Sequence, residues 1–157
     1  HKTLSMAVTA GIYAGAVKDG ISQQAIDACD FVNLMAYDAV GTDPLSPKDH
    51  SSYAIAENVL NIWLTQKNLP KNKAIIGVPA YGKAENNSTS MSFKDLLKNG
   101  ADKNGSVAVV GTTTYYYNGM TTIAQKLQLA KNQANGIMFW ELGQDAFGTN
   151  SLIKSNK

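Results

Sequence analysis

The sequence lacks arginine altogether and has few of the residues that build metal centres and disulfides. All 14 basic residues are lysines, set against 12 acidic residues in a chain of 157. The lysines are scattered, so the sequence predicts no nucleic-acid-binding surface, and bidentate arginine clamps on phosphate are excluded. Cys29 is the single cysteine, which excludes an internal disulfide, and His1 and His50 are too few for a histidine-built metal centre. We therefore expect neither a metal nor a cofactor.

Long apolar runs are also missing. None reaches the roughly 20 residues that a membrane helix needs, so we expect no membrane span. No signal peptide is recognisable. Lys2 is followed at once by an apolar run over 4–8, so we expect the sequence to begin within a fold and not at its start. A hydrophobic content of 44% is enough for one sizeable core, and we treat residues 1–157 as one domain.

Four apolar runs with helical patterns between them organise the chain. The runs predict strands at 4–10, 31–37, 74–80 and 136–141. Strands that alternate with helices indicate an α/β fold with a parallel sheet and right-handed crossovers. We predict the four strands to lie side by side in sequence order, with a helix after the last one.

The helices between these runs have recognisable starts. Ser22 is a candidate cap for a helix over 23–28, and Ser51 or Ser52 for a longer one that ends before Pro70. A third helix is predicted over 120–133, with Thr121 or Thr122 as its cap. Its apolar stripe is assigned to Ile123, Leu127 and Ala130.

The segment 83–118 interrupts this alternation. It contains a polar loop over 85–90, a predicted short helix over 93–98, and two predicted short strands over 107–110 and 113–117. We interpret this segment as a small α+β insertion lobe before the last strand.

Polar and aromatic side chains stand where the predicted strands end. Tyr37 and Asp38 follow the second run, Tyr81 follows the third, and Trp140 and Glu141 end the fourth. Ligands of α/β proteins bind at the carboxyl ends of parallel strands, so these side chains are the candidate site. A rim tyrosine, a turn aspartate and a core tryptophan are the alternative reading of the same residues.

Three of these strand ends together resemble glycoside hydrolase family 18, the chitinase and endo-N-acetylglucosaminidase family. The matching pieces are Asn33-Leu-Met-Ala-Tyr-Asp38, Ile76-Gly-Val-Pro-Ala-Tyr-Gly82 and Gly136-Ile-Met-Phe-Trp-Glu-Leu142. Their order implies strands six, seven and eight of that family's (β/α)8 barrel, and the first run then fits strand five. Lys83 stands where the family commonly has arginine.

The resemblance implies that the chain is a parallel β/α half-barrel, the C-terminal half of a TIM-barrel catalytic domain that takes about 250 residues. The family's acid-bearing signature, Asp-x-x-Asp-x-Asp-x-Glu, belongs to strand four. The chain has nine aspartates and three glutamates, and none falls in that spacing. Asp27 and Asp30 come nearest, but Val32 occupies the next required place. The chain alone is therefore predicted to be inactive.

The resemblance also implies roles for the site residues in a retaining, substrate-assisted reaction on β-1,4-linked N-acetylglucosamine polymers or glycans. Tyr37 and Asp38 are the catalytic candidates: Tyr37 donates to the acetamido group and Asp38 tunes the acid. The substrate-binding candidates are Met35 under the acetamido methyl, Trp140 as the floor of the sugar subsite, Tyr81 in the cleft wall, and Glu141. The bond after Trp140 is expected to be cis.

Two other readings stay open on the sequence alone. A chitinase-like lectin would use the same binding residues without the acid, and an unrelated half-barrel binding module would be complete in itself. The partners expected are an N-acetylglucosamine-containing glycan and the missing N-terminal half-barrel, or self-association through open sheet edges. A polymeric substrate implies a secreted, periplasmic or cell-surface location.

Overall fold

A computed structural model of the chain describes residues 2–154. Its strands and helices, in chain order, are β1 (Ser5–Thr9), α1 (Ala16–Asp19), α2 (Gln23–Ala28), β2 (Phe31–Met35), α3 (Tyr53–Thr65), β3 (Ala74–Pro79), β4 (Tyr81–Ala84), β5 (Ser90–Ser92), α4 (Phe93–Lys98), β6 (Val107–Val110), β7 (Thr113–Tyr116), α5 (Met120–Gln133) and β8 (Gly136–Trp140).

The central sheet has the order β1-β2-β3-β8, and all of its neighbouring strands are parallel. The predicted α/β class and sequential strand order are therefore confirmed. β2 ends at Met35, two residues before the predicted end. Alternate residues of β2, Val32 and Leu34, are fully buried, as expected for a strand with helices packed against the sheet.

Two of the predicted helix starts are confirmed. The Ser22 hydroxyl accepts from the Ala25 amide at 3.2 Å, and the Ser52 hydroxyl accepts from the Ile55 amide at 3.2 Å. Each serine satisfies one of the unpaired N–H groups at a helix start. One face of α3 is buried and includes Trp63, whose indole N–H donates to the Thr9 carbonyl at 3.2 Å.

The predicted threonine caps of α5 are wrong. The N-cap is Gly119, and no side chain caps this helix. The Gly119 and Met120 amides instead donate to backbone carbonyls of residues 105 and 103, at 3.0 and 2.8 Å. A Cβ at position 119 would lie 2.3 Å from the Gly105 carbonyl oxygen, so this close approach needs glycine.

The apolar stripe of α5 also differs from the prediction. Ile123 and Ala130 are buried, but Leu127 is only half-buried, and Lys126 and Leu129 lie on the buried face instead. A buried lysine is compatible with this face because acceptors surround its ammonium group.

The helix predicted after the last strand is absent from the described residues, which run to 154. Two 3-10 turns, Leu142–Gln144 and Gly148–Asn150, follow β8 instead. The Asp145 carboxylate accepts from the Ser151 hydroxyl and from the amides of Leu152 and Ile153 at 2.7 to 3.3 Å. These bonds fold the segment back on Asp145, and Gly148, at φ 65°, does not favour a helix.

A second, antiparallel sheet of order β5-β4-β7-β6 follows β3. The short helix and strand β6 have the predicted bounds, and β7 ends one residue early. Strands β4 and β5 are not predicted from the sequence: each has only three or four residues, and they flank the predicted polar loop over 85–90. With β4 starting at Tyr81, the lobe is joined to the central sheet one residue after β3 ends.

Candidate functional site

The sequence-predicted residues gather at the carboxyl end of the parallel sheet. Met35 ends β2, with Tyr37 and Asp38 just after it, and Tyr81 follows β3. Trp140, the last residue of β8, is in register with Pro79, and its carbonyl accepts from the Ala80 amide at 2.7 Å. Tyr37 and Trp140 thus lie at the same end of the sheet, as expected from parallel strands.

Asp38 is the centre of a hydrogen-bonded cluster. Its backbone has a left-handed conformation with φ 59°, uncommon for a residue other than glycine. Its Oδ1 atom accepts from the Tyr81 hydroxyl at 2.7 Å and lies 3.3 Å from the Lys83 ammonium. Bonding from His50, followed by that from Tyr81 and the positive charge of Lys83, outweighs burial and holds the pKa of Asp38 well below its ordinary value. The carboxylate is thus ionised at neutral pH.

The two tyrosines next to this carboxylate stay protonated. Burial, and then the bond and negative charge of Asp38, raise the pKa of Tyr81. Burial, and then the charge of Asp38, raise the pKa of Tyr37. The rings meet edge to face with centroids 6.4 Å apart. Both phenols therefore keep their O–H at neutral pH, and that of Tyr81 is donated to Asp38.

Gly77 makes room for Tyr37 beside β3. A Cβ on this glycine would lie 2.9 Å from the Tyr37 ring and 2.6 Å from the Leu34 carbonyl oxygen. Tyr37 is thereby packed closely between β2 and β3, and this packing fixes the orientation of its side chain.

Trp140 and Glu141 lie at the last strand end. The bond between them is cis, as predicted. The Trp140 side chain is 54% exposed, so its indole is open to contact from solvent or a ligand. Glu141 is also exposed. Among the residues described, Glu141 has no hydrogen bond to the Asp38 cluster, so the structure does not bring this carboxylate into it.

A cavity of about 460 Å³ opens beside Tyr37. Residues 9–18, which continue β1, line one side, and Met35, Tyr37 and Asp38 line the other. Sequence reasoning did not single out residues 9–18. Gly11 and Gly15, both with positive φ, were the available signal that this segment is a shaped loop.

The sequence patterns also do not indicate His50 as a site residue. The structure buries it fully and brings its Nδ1 atom 3.4 Å from Oδ1 of Asp38. Over residues 2–154, no three of the His, Cys, Asp and Glu side chains group in a way that could hold a metal ion. The same range contains no helix long and apolar enough to cross a membrane.

The family model of the glycosyl hydrolases family 18 matches residues 1–145. The chain belongs to glycosyl hydrolase family 18. A chitinase of this family from the chitin utilization locus of Flavobacterium johnsoniae is 33% identical, with a TM-score of 0.81 over 99% of this chain and 48% of that one. A chitinase from Bacteroides thetaiotaomicron is 26% identical, with a TM-score of 0.75 over 96% of this chain and 50% of that one.

The same fold also occurs in a protein described as an agglutinin. The chitinase-like agglutinin of Robinia pseudoacacia is 23% identical, with a TM-score of 0.73 over 98% of this chain and 54% of that one. At that identity the likeness shows the fold alone. The chain thus spans about half the length of these three solved structures.

Proposed function

We propose that this chain is the C-terminal half of the catalytic barrel of a chitinase-like glycosidase. In this proposal β1, β2, β3 and β8 are strands five to eight of a (β/α)8 barrel, and the antiparallel lobe is an insertion before strand eight. The main support is the hydrogen bond between Tyr81 and ionised Asp38, next to the protonated Tyr37, at the carboxyl end of the sheet. That end is where (β/α)8 enzymes carry their sites.

The proposed substrate is a β-1,4-linked N-acetylglucosamine polymer or glycan. Its acetamido oxygen attacks the anomeric carbon while an acid protonates the departing glycosidic oxygen, which gives an oxazolinium ion that water opens with net retention. No enzyme carboxylate is then the nucleophile. The protein has to hold the acetamido group in line and stabilise the charge that develops.

Each predicted site residue has a place in this reaction. Tyr37 donates its O–H to the acetamido group, and Met35 packs against the acetamido methyl. Asp38, held ionised, supplies negative charge beside the cationic intermediate and tunes the acid. Tyr81 orients Asp38 and lines the cleft.

The exposed indole of Trp140 provides an apolar platform for the face of the sugar ring. Glu141 is proposed as a rim contact to the same sugar.

The acid itself is proposed to lie outside this chain. The strand-four signature is absent from the 157 residues, and Glu141 has no bond to the Asp38 cluster within the described part of the chain. We therefore propose that the activity belongs to the intact parent protein, secreted, periplasmic or displayed at the cell surface, and that the chain alone is inactive.

The second candidate function is a chitinase-like lectin, since a chitinase-like agglutinin shares this fold. It would use Trp140, Tyr81 and Met35 to bind the same glycan without cleaving it. The two candidates differ only in the residue at the end of the parent's strand four.

The test is hydrolysis of a chromogenic N-acetylglucosamine oligomer by the intact parent and by the 157-residue chain. We expect turnover by the parent only. Tyr37→Phe in the parent should lower kcat roughly ten- to a thousandfold, the range for losing one transition-state donor. Tyr53→Phe, at the start of α3, is the matched control and should leave kcat unchanged. Binding without turnover by the parent would favour the lectin, and turnover by the chain alone would contradict the proposal.

A further inference from the structure

His50 is fully buried, and its backbone is tied to the segment that follows β2. The His50 carbonyl accepts from the Ala39 amide at 3.0 Å. The next residue, Ser51, donates its hydroxyl to the Ala36 carbonyl at 2.7 Å. These two bonds therefore hold the backbone of residues 50 and 51 against the segment that carries Tyr37 and Asp38.

The Nδ1 atom of His50 faces two groups of the same residue. It lies 3.3 Å from the Asp38 amide nitrogen, with geometry suited to accepting that N–H, and 3.4 Å from Asp38 Oδ1. An unprotonated Nδ1 accepts from the amide, whereas a protonated Nδ1 donates to the carboxylate. In either state the bond is made to Asp38, and the Nδ1–H donor of the protonated state is the one that lowers the pKa of the carboxylate.

The other ring nitrogen has no such connection. Nε2 of His50 is buried and has no hydrogen-bond partner among residues 2–154. The ring lies beside Tyr81, with centroids 5.1 Å apart and planes inclined by 35°. Packing thus fixes the ring, and Nδ1 is the atom through which it reaches the site.

We propose that His50 is a positioning residue, whose Nδ1 atom holds the main chain and carboxylate of Asp38 in place for the substrate. Aspartate adopts a left-handed backbone more readily than most residues other than glycine, and the bond from the Asp38 amide to His50 Nδ1 holds the main chain in that conformation. The inference rests on the proposed function, since it concerns the same site.

Asparagine and glutamine separate this role from simple core filling. The amide group of asparagine occupies the place of Nδ1, whereas that of glutamine occupies the place of Nε2. In the intact parent we expect His50→Asn to retain most of kcat, and His50→Gln and His50→Phe to lose about a hundredfold, the scale expected for a misplaced catalytic group. KM should change little, because His50 touches Asp38 and not the sugar.

The pH profile gives an independent readout. Asp38 is faced by His50, Tyr81, Lys83 and Tyr37, and the His50 bond is the largest contribution that keeps its pKa low. His50→Phe removes that bond, so the acid limb of kcat/KM should move to higher pH, whereas His50→Asn should keep it near the wild-type position. Equal activity and equal pH profiles in the Gln, Phe and Asn variants would overturn the assignment.

A measurement on the unsubstituted protein tests the proposal even if the His50 variants fail to fold. In ¹⁵N-labelled parent we expect either a coupling across the hydrogen bond from the Asp38 amide to His50 Nδ1, or a protected Nδ1–H proton resonance. Absence of both would refute the inference. If the wild-type parent binds N-acetylglucosamine oligomers but cleaves none, the hydrolase proposal fails, whereas His50 is still tested by this spectrum and by oligomer affinity of the variants.

Discussion

The Tyr81 hydroxyl donates a 2.7 Å hydrogen bond to Oδ1 of Asp38. Tyr81 is the first residue of β4 in the antiparallel lobe, and Asp38 follows β2 of the parallel sheet. The bond therefore joins the two sheets at the candidate site. It also affects how Asp38 responds to pH, because the phenol donates more strongly to the ionised carboxylate than to the protonated acid.

Tyr81→Phe should move the acid limb of the parent's kcat/KM profile to higher pH. The pKa of Asp38 is lowered in the folded protein, so its charge is present at neutral pH and is lost as pH falls through that pKa. Removal of the Tyr81 donor raises the pKa and brings the loss to higher pH. Tyr115→Phe is the control in the same lobe, where that hydroxyl lies 3.3 Å from Thr89 Oγ1. An unmoved limb in Tyr81→Phe would count against this arrangement.

The order of the predicted strands was enough to predict the site residues that lie at strand ends. Tyr37, Asp38, Tyr81 and Trp140 were found because each directly follows or ends an apolar run, and parallel strands bring such ends together. His50 was missed because an isolated histidine in a loop has no period or strand end to mark it. Its position depends on tertiary contacts with residues 36–39.

The same distinction explains the helix starts. The side chains of Ser22 and Ser52 each cap the helix that follows them. Such a cap depends only on residues nearby in the sequence, so it can be predicted from the sequence. Gly119 can start α5 because the amides of Gly119 and Met120 donate to lobe carbonyls that are more than ten positions away in the sequence. From the sequence alone Lys126 would likewise be expected at the surface, whereas in the structure hydrogen-bond acceptors surround its ammonium group.

Trp140→Ala should weaken binding of N-acetylglucosamine oligomers by the parent. Loss of about 1.5 kcal/mol, the upper range of an aromatic pair, would raise Kd roughly tenfold. Phe147→Ala is the control, since Phe147 is 90% exposed and lies seven positions after Trp140. Calorimetric titration compares the two. Equal affinities in Trp140→Ala and wild type would remove the proposed sugar platform.

The purified 157-residue chain should self-associate. β1 and β8 are the two edges of the parallel sheet, and unpaired strand edges template pairing with another chain. Ala7→Lys places a charge on the exposed row of β1, and should shift the chain towards monomer in light scattering. Ala124→Lys, on the exposed face of α5, is the matched control and should leave association unchanged. A wild-type chain that is monomeric at high concentration would contradict the open-edge argument.

Lys126 is a buried lysine with an acceptor for each ammonium proton. Its Nζ atom donates to the Ser51 carbonyl at 2.6 Å, the Ser51 hydroxyl at 2.8 Å and Asn118 Oδ1 at 2.6 Å. Burial nevertheless lowers the pKa of Lys126 to about 7, with a smaller opposing effect from Asp49. The lysine thus links α5 to the segment that supports His50, and it titrates near neutrality.

The stability of the parent should therefore depend on this lysine between about pH 7 and 10. The unfolded chain keeps the proton up to about pH 10.4, whereas the folded protein releases it near 7. The free energy of unfolding should rise with pH across that window, because the unfolded state binds more protons there. Lys126→Met should abolish this rise and, by leaving Asn118 Oδ1 without its donor, cost about 1–3 kcal/mol. Urea unfolding at several pH values measures both effects, and Lys131→Met, exposed on the same helix, should keep the rise. A Lys126→Met variant whose stability still increases from pH 7 to 10 like that of the wild type would show that the proton is released elsewhere.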